Sequence, residues 1–91
     1  MYTVKYPAQF KKDLKLAKKR KLDLELLYEV MDKIEALKEI PAKYRDHTLV
    51  SNWKGYRELH ILPDWLLIYK IDHHKKEISY ARTGTHSDLF K

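Results

Sequence analysis

The chain has 91 residues, 44% hydrophobic and 35% charged, a balance that fits one folded domain over residues 1–91 with no room for a second core. Its lack of cysteine excludes disulfides, thiolate zinc sites and thiol nucleophiles, and fits a cytoplasmic protein. The net charge of +6, from nineteen Lys and Arg against thirteen Asp and Glu, implies either a solvated basic face or a surface turned toward RNA, DNA or an acidic protein.

Met1-Tyr2-Thr3-Val4-Lys5 has no apolar stretch behind it, so no signal peptide is expected. The longest apolar run, Trp65 to Tyr69, is far too short to cross a membrane. Residues 2–6 alternate as a first strand, which Pro7 stops. From Ala8 the period changes. Phe10, Leu14 and Ala17 recur at helical spacing, and Lys11-Lys12, Lys15 and Lys18-Lys19-Arg20-Lys21 fill the other face. Asp23 is the predicted N-cap of a second helix, with Leu22 and Leu27 at hydrophobic-staple spacing. Leu27, Met31, Ile34 and Leu37 form its predicted buried stripe, and Pro41 closes it.

Beyond Pro41 the pattern is β. Residues 49–51 are a short strand candidate, and Asn52-Trp53-Lys54-Gly55 is a turn in which Gly55 supplies positive φ. Residues 56–62 form a strand, Pro63-Asp64 a tight turn, and 65–71 the most apolar strand, expected at the centre. A turn at 72–76 leads to a strand over 77–83, which Gly84 breaks before a short tail over 85–91. The order β-α-α-β-β-β-β predicts an α+β domain, with a two-helix hairpin packed on one face of a small, largely antiparallel twisted sheet.

Three of the five histidines fall at or near the ends of these strand-like runs. Antiparallel pairing about the predicted turns puts His47 opposite His60 and Arg82 opposite Leu66. His47, His60, His86, Asp64 and Arg82 then share one edge of the sheet, an expectation that survives a slip of one or two residues. His47, His60 and Asp64 are expected to form one network. His73 and His74 lie in a hairpin tip at the opposite end and receive no role.

Such a cluster on a basic chain allows three readings. The first is metal-free RNA cleavage, in which histidines serve as base and acid and Arg82 holds phosphate oxygens in a bidentate fork. Trp53, Trp65, Tyr56 and Phe90 can stack on splayed bases, unless Trp65 belongs to the core. The second is a divalent-metal site built from His47, His60, His86 and Asp64, although the spacing matches no compact signature such as HExxH. The third is a binding module whose basic helix contacts nucleic acid or protein without chemistry.

Four ordered blocks carry a more specific pattern. They are Asp46-His47-x-Leu49, Trp53-Lys54-Gly55-Tyr56-Arg57-Glu58-x-His60, Pro63-Asp64-Trp65-Leu66-Leu67-Ile68-Tyr69-Lys70, and Arg82-Thr83-Gly84-Thr85-His86-Ser87-Asp88-Leu89-Phe90. This pattern closely resembles the YafQ-type branch of the RelE/ParE superfamily of bacterial type II toxins. The resemblance implies a RelE-like microbial RNase fold and a ribosome-dependent messenger-RNA endoribonuclease that inhibits translation. Such toxins cut in the ribosomal A site by attack of the ribose 2′-OH, without metal or other cofactor. It further implies the 70S ribosome and mRNA as partners and a neighbouring ribbon-helix-helix antitoxin, with operator DNA bound only through the antitoxin complex. By position, it assigns His47, His60, Asp64 and His86 to catalysis. It assigns Arg82 to a phosphate and Phe90 to the substrate base, with Trp65 and Lys54 as further substrate contacts. His86, on a mobile-looking tail, is expected to be the principal proton-transfer residue. ParE-like relatives poison gyrase without cutting RNA, and the histidine set favours cleavage over that alternative.

Overall fold

A computed structural model describes residues 2–90; Met1 and Lys91, the ends of the expected domain and tail, lie outside the described residues. Among the described residues, five strands, three α-helices and two short 3-10 turns are arranged around one sheet of order β1-β5-β4-β3-β2. The strands are β1 (Thr3–Lys5), β2 (His47–Thr48), β3 (Arg57–Leu62), β4 (Trp65–Asp72) and β5 (Glu77–Gly84). The helices are α1 (Ala8–Lys19), α2 (Leu24–Glu35) and α3 (His86–Leu89). β4, the most apolar run, takes the central position expected of it. β1 pairs parallel to β5 and the other neighbours run antiparallel. Among the described residues, no helix is long and apolar enough to cross a membrane.

Alternation along the strands divides the apolar residues between two faces. Leu59, Ile61, Trp65, Leu67, Tyr69, Ile78 and Tyr80 join Phe10 and Ala17 of α1 and Leu27, Val30, Met31 and Ile34 of α2 in the main core. Leu66 and Ile68 turn the other way, against Leu89 of α3 and against Leu49, Trp53 and Tyr56. Both helices therefore cover one face, as their apolar stripes require. α3 and the connection into β3 cover part of the other.

Asp23 caps α2 as expected, accepting a hydrogen bond from the Glu25 amide at 3.1 Å. The end of α2 differs from expectation. The helix stops at Glu35, and Leu37 lies beyond it, 47% exposed and at φ 56°. The Lys38 amide donates to the Lys33 carbonyl and the Leu37 amide to that of Ile34, both at 3.0 Å. These bonds close a Schellman motif, so the stop is made well before Pro41. Val30 takes the place in the buried stripe that Leu37 was expected to fill.

The short strand expected at 49–51 also moves. β2 is His47–Thr48, because Ser51, at φ 57°, starts a 3-10 turn over Ser51–Trp53. Gly55 has the expected positive φ, 95°. The register shifts accordingly: His47 faces Glu58, not His60. Arg82 faces Ile68, not Leu66: the turn pairs Asp72 with Glu77, which moves the register by one residue, and an extra residue, Ala81, accommodated between the Ile68–Arg82 and Tyr69–Tyr80 pairs, moves it by one more. This is a β-bulge. The expected tail is instead the one-turn helix α3.

Candidate functional site

The edge of the sheet where β2, the β3–β4 turn and α3 meet carries His47, His60, Asp64 and His86. The His47 and His60 ring centroids are 6.3 Å apart, and those of His60 and His86 are 5.7 Å apart. The slip by two residues left all three histidines at the shared edge, because an even slip keeps a side chain on its face.

The expected single network of His47, His60 and Asp64 is not what forms. Asp64 joins His86 alone: its Oδ1 accepts from the His86 backbone amide at 2.9 Å and lies 2.6 Å from the ring Nδ1. A carboxylate can only accept, so the ring carries its proton on Nδ1 and presents Nε2 outward. These two bonds, the backbone one first, hold the Asp64 carboxyl below its usual range.

His47 and His60 share a different carboxylate, Glu58. Its side chain is only 8% exposed, with Oε1 at 3.3 Å from His47 Nε2 and 3.6 Å from His60 Nε2. His47 Nδ1 lies 2.6 Å from the Arg45 carbonyl, again an acceptor only, so that nitrogen bears a proton. The Nε2 contact with Glu58 is then an ion pair when the ring holds both protons. Glu58 had no role in the sequence reading. Its place on the same strand face as His60 was the available signal.

A cleft of about 490 Å³ opens beside His60 and His86, lined also by Lys43, Arg45, Ile61, Leu62 and Pro63. That volume is within the range of ligand pockets. Lys43 and Arg45 supply its positive charge, and sequence reasoning overlooked both, although they flank Tyr44 just before His47. Arg45 sits at φ 53° after a 3-10 turn at Ala42–Tyr44. Asp46 pins this approach to β2, accepting from Arg57 at 3.0 Å and from the Tyr69 hydroxyl at 2.6 Å. Burial, then this bond to Asp46, raises the Tyr69 hydroxyl far above the usual phenol range.

The remaining expected residues lie elsewhere. Arg82 is engaged with Asp13 of α1, through Nε at 2.8 Å and a terminal nitrogen at 3.2 Å. Asp13, itself buried, also accepts from the Thr83 amide at 3.1 Å. Trp65 is 2% exposed and donates to the Thr83 hydroxyl at 2.9 Å, so its ring fills the core and has no open face for a base. Lys54 is exposed in the loop before β3. Phe90 lines a second, shallower groove with Leu49, Val50, Trp53 and Leu89. Among the described residues, no three His, Asp or Glu side chains form a group fit to hold a metal ion.

α3 is fastened, not loose. Thr85 and Asp88 form a capping box, with the Asp88 amide donating to the Thr85 hydroxyl at 3.1 Å and the Thr85 amide to the Asp88 carboxylate at 2.9 Å. Thr85-His86-Ser87-Asp88 carries the sequence signature of such a box.

Known proteins share this fold. Residues 2–91 match the family model described as the bacterial toxin of type II toxin-antitoxin system, YafQ. The chain is 48% identical over 88 residues to an Escherichia coli (strain B / BL21-DE3) protein named mRNA interferase toxin YafQ, covering 96% of this chain and 94% of that one. It superposes on the crystal structure of YafQ from E. coli strain BL21(DE3) with a TM-score of 0.95 and 43% identity, over 100% of both chains. It matches a chain in the crystal structure of the E. coli DinJ-YafQ complex with a TM-score of 0.91 and 46% identity, over 100% of both chains.

Proposed function

The chain belongs to the YafQ family of bacterial type II toxins, and from that premise we propose that it is a ribosome-dependent, metal-independent endoribonuclease cutting messenger RNA in the A site. Its relatives are named mRNA interferases. The observation that carries the chemistry is the Asp64–His86 pair at 2.6 Å, which fixes the tautomer of a ring beside an open, basic cleft.

Cleavage removes the proton from a ribose 2′-OH, which attacks the adjacent phosphorus. The P–O5′ bond breaks, and the 5′-oxygen leaves with a proton. The products are a 2′,3′-cyclic phosphate and a 5′-hydroxyl. His86 Nε2 is the principal proton-transfer group, with Asp64 holding the ring. His60 and His47, tied to Glu58, provide the complementary proton transfer. A positioned acid or base contributes on the order of 10²- to 10⁴-fold. Lys43 and Arg45 line the cleft where the phosphate charge develops, and Arg82 serves the phosphate only if it exchanges its Asp13 partner for it. Phe90 and Lys54 remain assigned to RNA contact outside the cleft. An antitoxin partner is supported by a relative crystallised as the DinJ-YafQ complex, and operator DNA would be bound through such a complex.

The test is primer extension on translated RNA, with and without ribosomes, using toxin that has been stripped with EDTA and desalted before it is added. Cuts are expected only with ribosomes and undiminished by the stripping. His86→Ala is expected to lose at least about 10²-fold in rate. Growth arrest with no cuts would favour a ParE-like, non-cleaving toxin, and wild-type cutting by His86→Ala would overturn the assignment to His86.

A further inference from the structure

We propose that Arg20, at the C-terminal end of α1, is a positioning residue for His86, acting through Asp88 and α3. The proposal rests on the reading of His86 as a proton-transfer residue. α3 is a single turn of four residues, too short to hold its own geometry, so the placement of His86 is borrowed from its contacts. The Asp64 contact is the weaker anchor, since the two side chains are 53% and 65% exposed and solvent screens such pairs. Asp88 is the stronger one. Its side chain is 24% exposed, against 40% for Arg20, and receives both terminal nitrogens of Arg20, at 2.7 and 3.3 Å. Such forked, charge-assisted pairs fix direction as well as distance.

The same carboxylate closes the capping box of α3. It also folds back against the chain: a Cβ added at Gly84 would lie 2.8 Å from Asp88 Oδ2, so the strand-to-helix corner is built around this side chain. Arg20 thereby ties α1 to the residue two positions after His86 across 68 residues of sequence. Arg20 also belongs to the basic run of α1, so it must be distinguished from one more RNA-facing cation. Its guanidinium is turned to Asp88, which predicts an effect on the chemical step and not on docking.

The experiment measures single-turnover cleavage on programmed ribosomes for wild type, Arg20→Ala, Asp88→Asn and the double variant. It is paired with nuclear magnetic resonance of the His86 ring nitrogens. Arg20→Ala is expected to slow the cleavage step by roughly tenfold or more, as small misplacements of a reacting group do, with the half-saturating ribosome concentration unchanged. Asp88→Asn should lose a similar factor and the double variant no more than either. The His86 ring signals should move in both single variants. A defect confined to half-saturation, additive losses, or a wild-type rate in Arg20→Ala would each overturn the proposal. If wild type itself cuts nothing, the functional reading fails on its own. The positioning role is then decided by the ring signals, which must move in Arg20→Ala for it to stand.

Discussion

Asp64, bonded to His86, and Asp88, two residues after it, are both ionised more readily than a free carboxylate. Asp64 is stabilised first by the His86 amide and then by its ring, and Asp88 first by Arg20 and then by the Thr85 amide. A carboxyl whose folded value is depressed takes up its proton sooner in the unfolded chain. Its stabilising contribution is complete above the unfolded value of about 3.9 and drains as pH falls from there toward the folded value. Urea midpoints are therefore expected to hold constant from pH 7 to 5 as far as these groups contribute, and to fall below about pH 4. Asp88→Asn should have a lower midpoint at pH 7 and a shallower acid limb. An acid limb as steep as that of wild type would contradict the role given to Asp88. At this scale the three histidines and Asp64 were legible as neighbours at one edge, whereas Glu58, Lys43 and Arg45 were not, and Arg82, expected there, is held by Asp13. The sequence did not show the pairing at this edge. A two-residue difference in register hands His47 to Glu58, and the turn at Pro63-Asp64 directs Asp64 to His86.

Element beginnings were more legible than element ends. Asp23 announces α2 by chemistry that is visible in the sequence, a carboxylate placed to accept orphan amides. The ends of α1 and α2 have no such signal. Each closes in a Schellman motif with a residue other than glycine in the left-handed position, Lys21 at φ 62° and Leu37 at φ 56°. The chain has only two glycines, so the usual marker of a helix stop is missing, and Pro41 is the first stop signal the sequence carries after Asp23. A Cβ in left-handed geometry costs about 1–2 kcal/mol, against about 0.5–1 kcal/mol for the extra chain entropy of glycine. Leu37→Gly, at a largely exposed site, is expected to raise stability by about 0.5–1 kcal/mol in urea unfolding. A loss would mean that Leu37 makes packing contacts that outweigh its strain. α3 was missed for a different reason: one turn of helix has no periodicity to detect, although its capping box was written in Thr85 and Asp88.

For the whole molecule, the basic charge acquires a direction that composition alone lacks. The buried face of α1 is set by Phe10, Asp13 and Ala17, which leaves Lys11, Lys12, Lys15, Lys18 and Lys19 exposed. The Arg20–Asp88 pair brings the end of that helix to the one carrying His86. Lys43 and Arg45 add positive charge at the cleft. Such a molecule should meet RNA with its basic helix and its histidine edge together, and the helix should contribute affinity without sequence preference, through counterion release. If about five phosphates are neutralised, binding to vacant ribosomes should weaken by about 10²-fold between 50 and 200 mM salt. Replacing Lys11, Lys12, Lys15 and Lys18 by Gln should reduce the slope of log affinity against log salt by about 3. The cleavage step at saturating ribosome should stay as in wild type, because none of these lysines lines the cleft or touches α3's anchors. An affinity indifferent to salt would place the docking surface elsewhere, and the excess charge on α1 would then be only a solvated helix face.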